Sequence, residues 1–231
     1  MTVIVILMVS AALIVGALWG IYGTLSKNLE GFLVALAGGA LLVSALLELI
    51  HTAVKNYSVP IALSVVFLGA IVFTVLDYLI KKKWSAPSGT GLLAAITLDG
   101  IPENLALGVA LIGATPLSVA ALSGSILLSN LPEAAGGAKE MVAKHSKSKV
   151  FLLWLATALI LAAAALVGYY ALANVSKEYL SYLKCFAGGA VVASLALEVF
   201  PKAFKQDKYW AGLATAIGLV LALYLNTLGS R

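Results

Sequence analysis

Apolar residues dominate this chain, and the polar ones fall at intervals that cut it into helix-length pieces. The apolar runs occupy positions 2–25, 31–54, 59–80, 91–113, 116–138, 149–173, 180–204 and 208–228. Charge, Pro or Gly marks the breaks between them, as in "SKNLEG", "KKKWSAPSGTG" and "KEMVAKHSKSK". Runs of about 20 residues, rising 1.5 Å each, match a ~30 Å hydrocarbon layer. None alternates with the two-residue period of a barrel strand. The pattern predicts an all-α polytopic membrane protein, with eight transmembrane helices in a single transporter-sized domain over residues 1–231.

Composition agrees. The chain is 62% hydrophobic and 11% charged, and its mean hydropathy is +1.05. A soluble domain of this length needs far more charge to cover its surface. The first run lacks a basic leading region and is too long for a signal-peptide core, so it reads as the first span. One cysteine, Cys185, excludes an internal disulfide or thiolate cluster. The net charge of +5 does not indicate nucleic acid, because the lysines sit in short loops and report topology instead. With both termini outside, 11 basic residues face the cytoplasm and 4 face out, of the 15 present. That orientation obeys the positive-inside rule.

The two halves resemble each other. "LAGGALLVSALLELI" in the second run matches "FAGGAVVASLALEVF" in the seventh, 150 positions on, so that Gly38, Gly39, Ser44 and Glu48 align with Gly188, Gly189, Ser194 and Glu198. The two runs cross the membrane in opposite senses. Helices 1–3 and 6–8 are therefore expected to be inverted repeats flanking a central pair, helices 4 and 5.

The acids then concentrate the chemistry. Glu30, Glu140, Glu178 and Asp207 fall at run ends or in loops, and Asp77 lies within reach of Lys81. Glu48, Asp99, Glu103, Glu133 and Glu198 fall inside runs 2, 4, 4, 5 and 7. A carboxylate at a span centre costs about 2.5–3.5 kcal/mol on insertion scales, several times what one leucine returns. The sequence offers no lysine at matching depth, so these acids are expected to face one another or a cation, with helices 1, 3, 6 and 8 towards lipid. Two stretches repeat a Pro-Glu signature, "DGIPENLALG" and "SNLPEAAGGA". Asp99 and Glu103 share a helix face, as do Ser129 and Glu133. Pro102 and Pro132 release the carbonyls of Leu98 and Leu128, one turn before each glutamate. Asp99, Glu103, Ser129, Asn130 and Glu133 thus form a candidate divalent-metal site, with Asn104 beside it. Glu48 and Glu198 become relay carboxylates along a transport path. His51 and His145 read as interfacial residues, and no nucleophile neighbours a buried histidine, so no enzyme chemistry and no resident cofactor is expected.

These residues resemble the ZIP (zinc- and iron-regulated-transporter-like) metal transporters, in helix count, terminus placement and the polar helices 2, 4, 5 and 7. The family's helix 4 commonly reads His-Asn-x-Pro-Glu-Gly, where this chain has Asp99, Gly100, Ile101, Pro102, Glu103 and Asn104. Ser129, Asn130, Leu131, Pro132 and Glu133 match its helix 5 pattern, and "LEVFPKA" matches its helix 7. The resemblance implies transport of Zn, Fe, Mn or Cd across the plasma membrane, with Glu103 and Glu133 facing the metal. It also implies a homodimer. Asp99 and Ser129 stand where the family usually has histidines, Glu48 stands where a helix 2 histidine is often found, and the histidine-rich loop is missing. Rival expectations are a proton or small-solute transporter on the same scaffold, and a membrane metal sensor that moves nothing.

Overall fold

A computed structural model describes residues 2–83, 89–114 and 119–229; the side chains of residues 83, 89–92, 94–96, 98, 99 and 229 lie outside that description. Eight helices follow one another: α1 (Thr2–Tyr22), α2 (Lys27–Asn56), α3 (Val59–Lys83), α4 (Gly89–Ala110), α5 (Ala120–Val142), α6 (Lys147–Ala171), α7 (Lys177–Gln206) and α8 (Ala211–Gly229). No strand occurs among the described residues. Six of the eight, all but α4 and α5, are long and apolar enough to cross a membrane. Large apolar side chains such as Phe67, Ile61, Leu159 and Val220 stand exposed on the outside, which water would penalise and lipid does not. The chain is built as a multi-pass membrane protein.

Helix ends extend past the apolar runs because polar residues cap them. Ser26, Ser146 and Ser176 each accept a hydrogen bond from the backbone N–H three residues on, closing the first turns of α2, α6 and α7. The caps of α2 and α7 are 150 positions apart. So are two widened turns. Ala45–Ile50 in α2 and Leu195–Val199 in α7 wind as π-helix, in which the hydrogen bonds skip one residue further and the carbonyl ladder is disturbed. Glu48 and Glu198 sit in these turns.

Glycines set the closest approaches. In α1, Gly16 lies against the Leu131 carbonyl and Gly20 against that of Ala135, so α1 and α5 run parallel in close contact. Gly108 and Gly168 play the same part between α4 and α6. Gly39 abuts the Thr215 carbonyl and Gly218 that of Leu36, joining α2 to α8; Gly189 abuts Val66 and Gly69 abuts Phe186, joining α7 to α3. A Cβ at any of these positions has no room, so the backbones touch and dispersion between them replaces side-chain packing. α2 and α7 cross antiparallel at the centre: Gly38 meets Val199 and Phe200, and Gly188 meets Leu49 and Ile50.

α5 is the most enclosed of the polar helices. It packs on α1 along its length and also touches α2, α4, α6 and α8. This explains why it can lack the apolarity of a lipid-facing span: its hydroxyls, amide and carboxylate are enclosed by protein. α3 and α8, expected towards lipid, are the least enclosed of the six apolar helices, with windows only 17% and 22% buried. α1, expected among the lipid-facing helices, is half buried because α5 lies against it.

Candidate functional site

The two prolines lie inside continuous helices, Pro102 in α4 and Pro132 in α5. Each is followed by its glutamate, so both carboxylates project from helices whose local hydrogen-bond ladder is already interrupted. Glu103 is 5% exposed and lies in the field of Glu133. Glu133, half-buried in α5, therefore acts through space on the buried Glu103. Ser129 Oγ donates to Glu133 Oε1 at 3.1 Å, one helical turn away, as the spacing predicts.

The neighbouring amides divide. Asn104 is 1% exposed, and its Nδ2 donates to the Gly100 carbonyl at 2.9 Å. Its Oδ1 is buried with no hydrogen-bond partner. An oxygen left so costs about 1–3 kcal/mol, and it belongs to the residue that follows Glu103 in the chain. Asn130 is used otherwise: its Nδ2 donates to the Val9 carbonyl of α1 at 3.2 Å. That bond fixes α5 against α1 and commits the amide's donor end to the scaffold. Asp99 belongs to α4, but its side chain lies outside the described residues. Among the described residues no group of three or more His, Cys, Asp or Glu side chains is arranged to hold a metal ion. The described donor set is two carboxylates, a hydroxyl and an unpartnered amide oxygen.

The two relay acids are each held by a residue of another helix. Glu48, in the widened turn of α2, accepts from Asn226 Nδ2 of α8 at 2.6 Å, with Lys184 acting on it through space. Glu198, in the widened turn of α7, is ion-paired with Lys81 of α3, which also holds Asp77 at 3.0 Å. The expectation that the internal acids lack basic partners therefore fails for Glu198. Lys81 lies at the end of α3, but its four-carbon stem reaches back along the helix to the neighbouring turn of α7. The sequence carries a partial signal in the Asp77–Lys81 spacing of four, and nothing that reveals the crossing to α7.

Glu30 lies at a helix end as expected, in the first turn of α2, and is buried there at 6% exposed. Its Oε1 pairs with Lys202 of α7 at 3.2 Å, and its carboxylate lies against Gly136 of α5. Only glycine leaves space there. Glu133 stands in the fields of Lys202, Glu198 and Glu30, so the charges form a chain from Glu103 through Glu133 towards the lysine-rich ends of α3 and α7. Lys139 closes the same end of α5 by donating to the Leu25 carbonyl at 2.9 Å.

No protein-family model matches the chain, and no curated protein is similar to it.

Proposed function

We propose that this protein carries divalent metal cations across the membrane by a carboxylate path through α2, α4, α5 and α7, as a divergent relative of the ZIP transporters. The observation that carries the proposal is that Glu133 acts through space on the buried Glu103, next to which in the chain Asn104 carries an amide oxygen with no hydrogen-bond partner among the described residues. Two like charges and an orphaned acceptor in low dielectric are costly empty and become favourable around a cation. All the donors are oxygen, which suits Mn, Fe(II) or Cd as well as Zn. The cargo meets Glu103, Glu133 and the Ser129 hydroxyl, with Asp99 completing the shell from α4.

The inverted repeat supports transport by alternating access. Exchanging α1 with α6, α2 with α7, α3 with α8 and α4 with α5 turns each glycine-mediated pairing into another: α1·α5 into α6·α4, and α2·α8 into α7·α3. The caps, the widened turns and the glutamates obey the same 150-residue offset. Eight spans with both termini outside place Glu48 towards the outer face and Glu198 towards the cytoplasm. The plasma membrane, a homodimeric assembly and the absence of enzymatic activity belong to the same proposal.

Reconstituted vesicles loaded with a metal-sensitive dye test it. Mn2+, Zn2+ or Cd2+ should enter vesicles holding the protein, and Glu133→Gln should slow entry at least tenfold. Flux equal to protein-free vesicles for all three ions would end the transport proposal. Binding without flux would favour a sensor.

A further inference from the structure

Lys81 ties two carboxylates from two helices. It pairs with Asp77 on its own helix and with Glu198 in the widened turn of α7. Asp77 is 5% exposed and shares the Lys81 ammonium with Glu198. The pairing is anchored, because α3 and α7 touch backbone to backbone at Gly69 and Gly189. The ammonium itself is not enclosed: the Lys81 side chain is 47% exposed. Beside it lies a recess of about 420 Å³, lined by Thr74, Asp77, Tyr78, Lys81, Lys82 and Leu197. A hydrated cation fits there.

The other widened turn is built differently. Glu48 meets the neutral amide of Asn226 at 2.6 Å. Of the two repeat-related glutamates, Glu198 alone is in an ion pair among the described residues. The asymmetry sits at the lysine-rich end, where the proposed path leaves the protein.

We infer that Lys81 is a tethered counter-cation that competes with the cargo for Asp77 and Glu198, and so sets how readily a divalent cation leaves at that end. The inference rests on the transport proposal above. An ammonium held on a short stem acts at an effective concentration of order millimolar or higher. A doubly charged cation arriving from Glu133 displaces it, and the half-exposed lysine swings into the recess. When the cation departs, the ammonium returns and neutralises both carboxylates. Without it, the two acids are left unneutralised and hold a divalent cation more tightly.

The test compares the purified full chain with Lys81→Met, Lys81→Arg and Lys81→Met/Glu198→Gln. Titration calorimetry with Mn2+ gives affinity, and stopped-flow release from vesicles gives the off-rate. Lys81→Met should bind about tenfold more tightly, equivalent to ~1.4 kcal/mol, and release correspondingly more slowly. Lys81→Arg should keep wild-type values, and the gain should vanish in the double variant. Lys81→Gln supplies the same comparison if the methionine variant does not fold. Wild-type binding with unchanged affinity in the charge-neutral variants overturns this inference alone. No binding of Mn2+ by any form, the wild type included, overturns it together with the transport proposal.

Discussion

Replacing Gly39 or Gly189 with alanine probes the backbone contacts on which the paired architecture rests. At Gly39 an added Cβ would lie 2.8 Å from the carbonyl carbon of Thr215, and at Gly189 it would lie 2.8 Å from that of Val66, with each carbonyl oxygen closer still. Backbone atoms cannot swing aside, so α8 or α3 must move. Overpacking of this kind costs about 1–3 kcal/mol, with an immovable obstacle at the upper end. Alanine regains up to about 1 kcal/mol of helix propensity over glycine. The net expected loss is about 1–2 kcal/mol at each position. Gly212 in α8 supplies the control, because nothing lies within 4 Å of its Cβ position; its alanine variant should be neutral or slightly more stable. For a chain of this length, 1 kcal/mol moves Tm by about 2–4 °C. Tryptophan-fluorescence melts in detergent should therefore show Gly39→Ala and Gly189→Ala both lowered by several degrees and by similar amounts. If either matches Gly212→Ala, or if one falls sharply and the other not at all, the reasoning from close backbone contact and repeat equivalence is wrong.

Glu103→Gln should weaken Mn2+ binding at least tenfold. Protons and metal compete for ionised carboxylates, so native affinity should fall from pH 8 to pH 5, with a shallower slope in the variant; calorimetry across that range checks both. Lys202→Met strands the Glu30 carboxylate, which is 6% exposed, and should destabilise by about 2–4 kcal/mol, discounted from a fully buried pair because Lys202 is itself 30% exposed. Adding Glu30→Gln should restore most of that loss, and melts of the single and double variants decide it. Asn130→Ala removes the bond to the Val9 carbonyl and should cost about 1–2 kcal/mol, read as a lowered Tm with Mn2+ absent.

Much of this architecture was legible because apolar runs and the polar turns between them have one physical cause, the thickness of the hydrocarbon layer. The boundaries shifted by a few residues where serine caps extended α2, α6 and α7 beyond their apolar cores. The prolines inside α4 and α5 and the Ser129–Glu133 bond were legible, since proline and the i,i+4 relation act within one helix. What stayed hidden depends on neighbours distant in sequence. Nothing near Glu48 marks a widened turn, whereas Glu198 is followed by Pro201, whose missing N–H leaves the Leu197 carbonyl without its usual helical partner. The reach of Lys81 from α3 to α7 and the burial of Glu30 under Lys202 are tertiary facts. The bond made by Asn130 is hidden in the same way. Its place beside the motif suggests a ligand through its amide oxygen, and the sequence does not reveal that its amide donor bonds α1.

Anomalous diffraction from crystals soaked separately in Mn2+ and Cd2+ tests the central claim most directly. The account predicts a peak for each ion between Glu103 and Glu133, within ~2.0–2.6 Å of an oxygen from each, and its loss in Glu103→Gln. Peaks confined to surface carboxylates, with the Glu103–Glu133 pair empty at saturating metal, would contradict it.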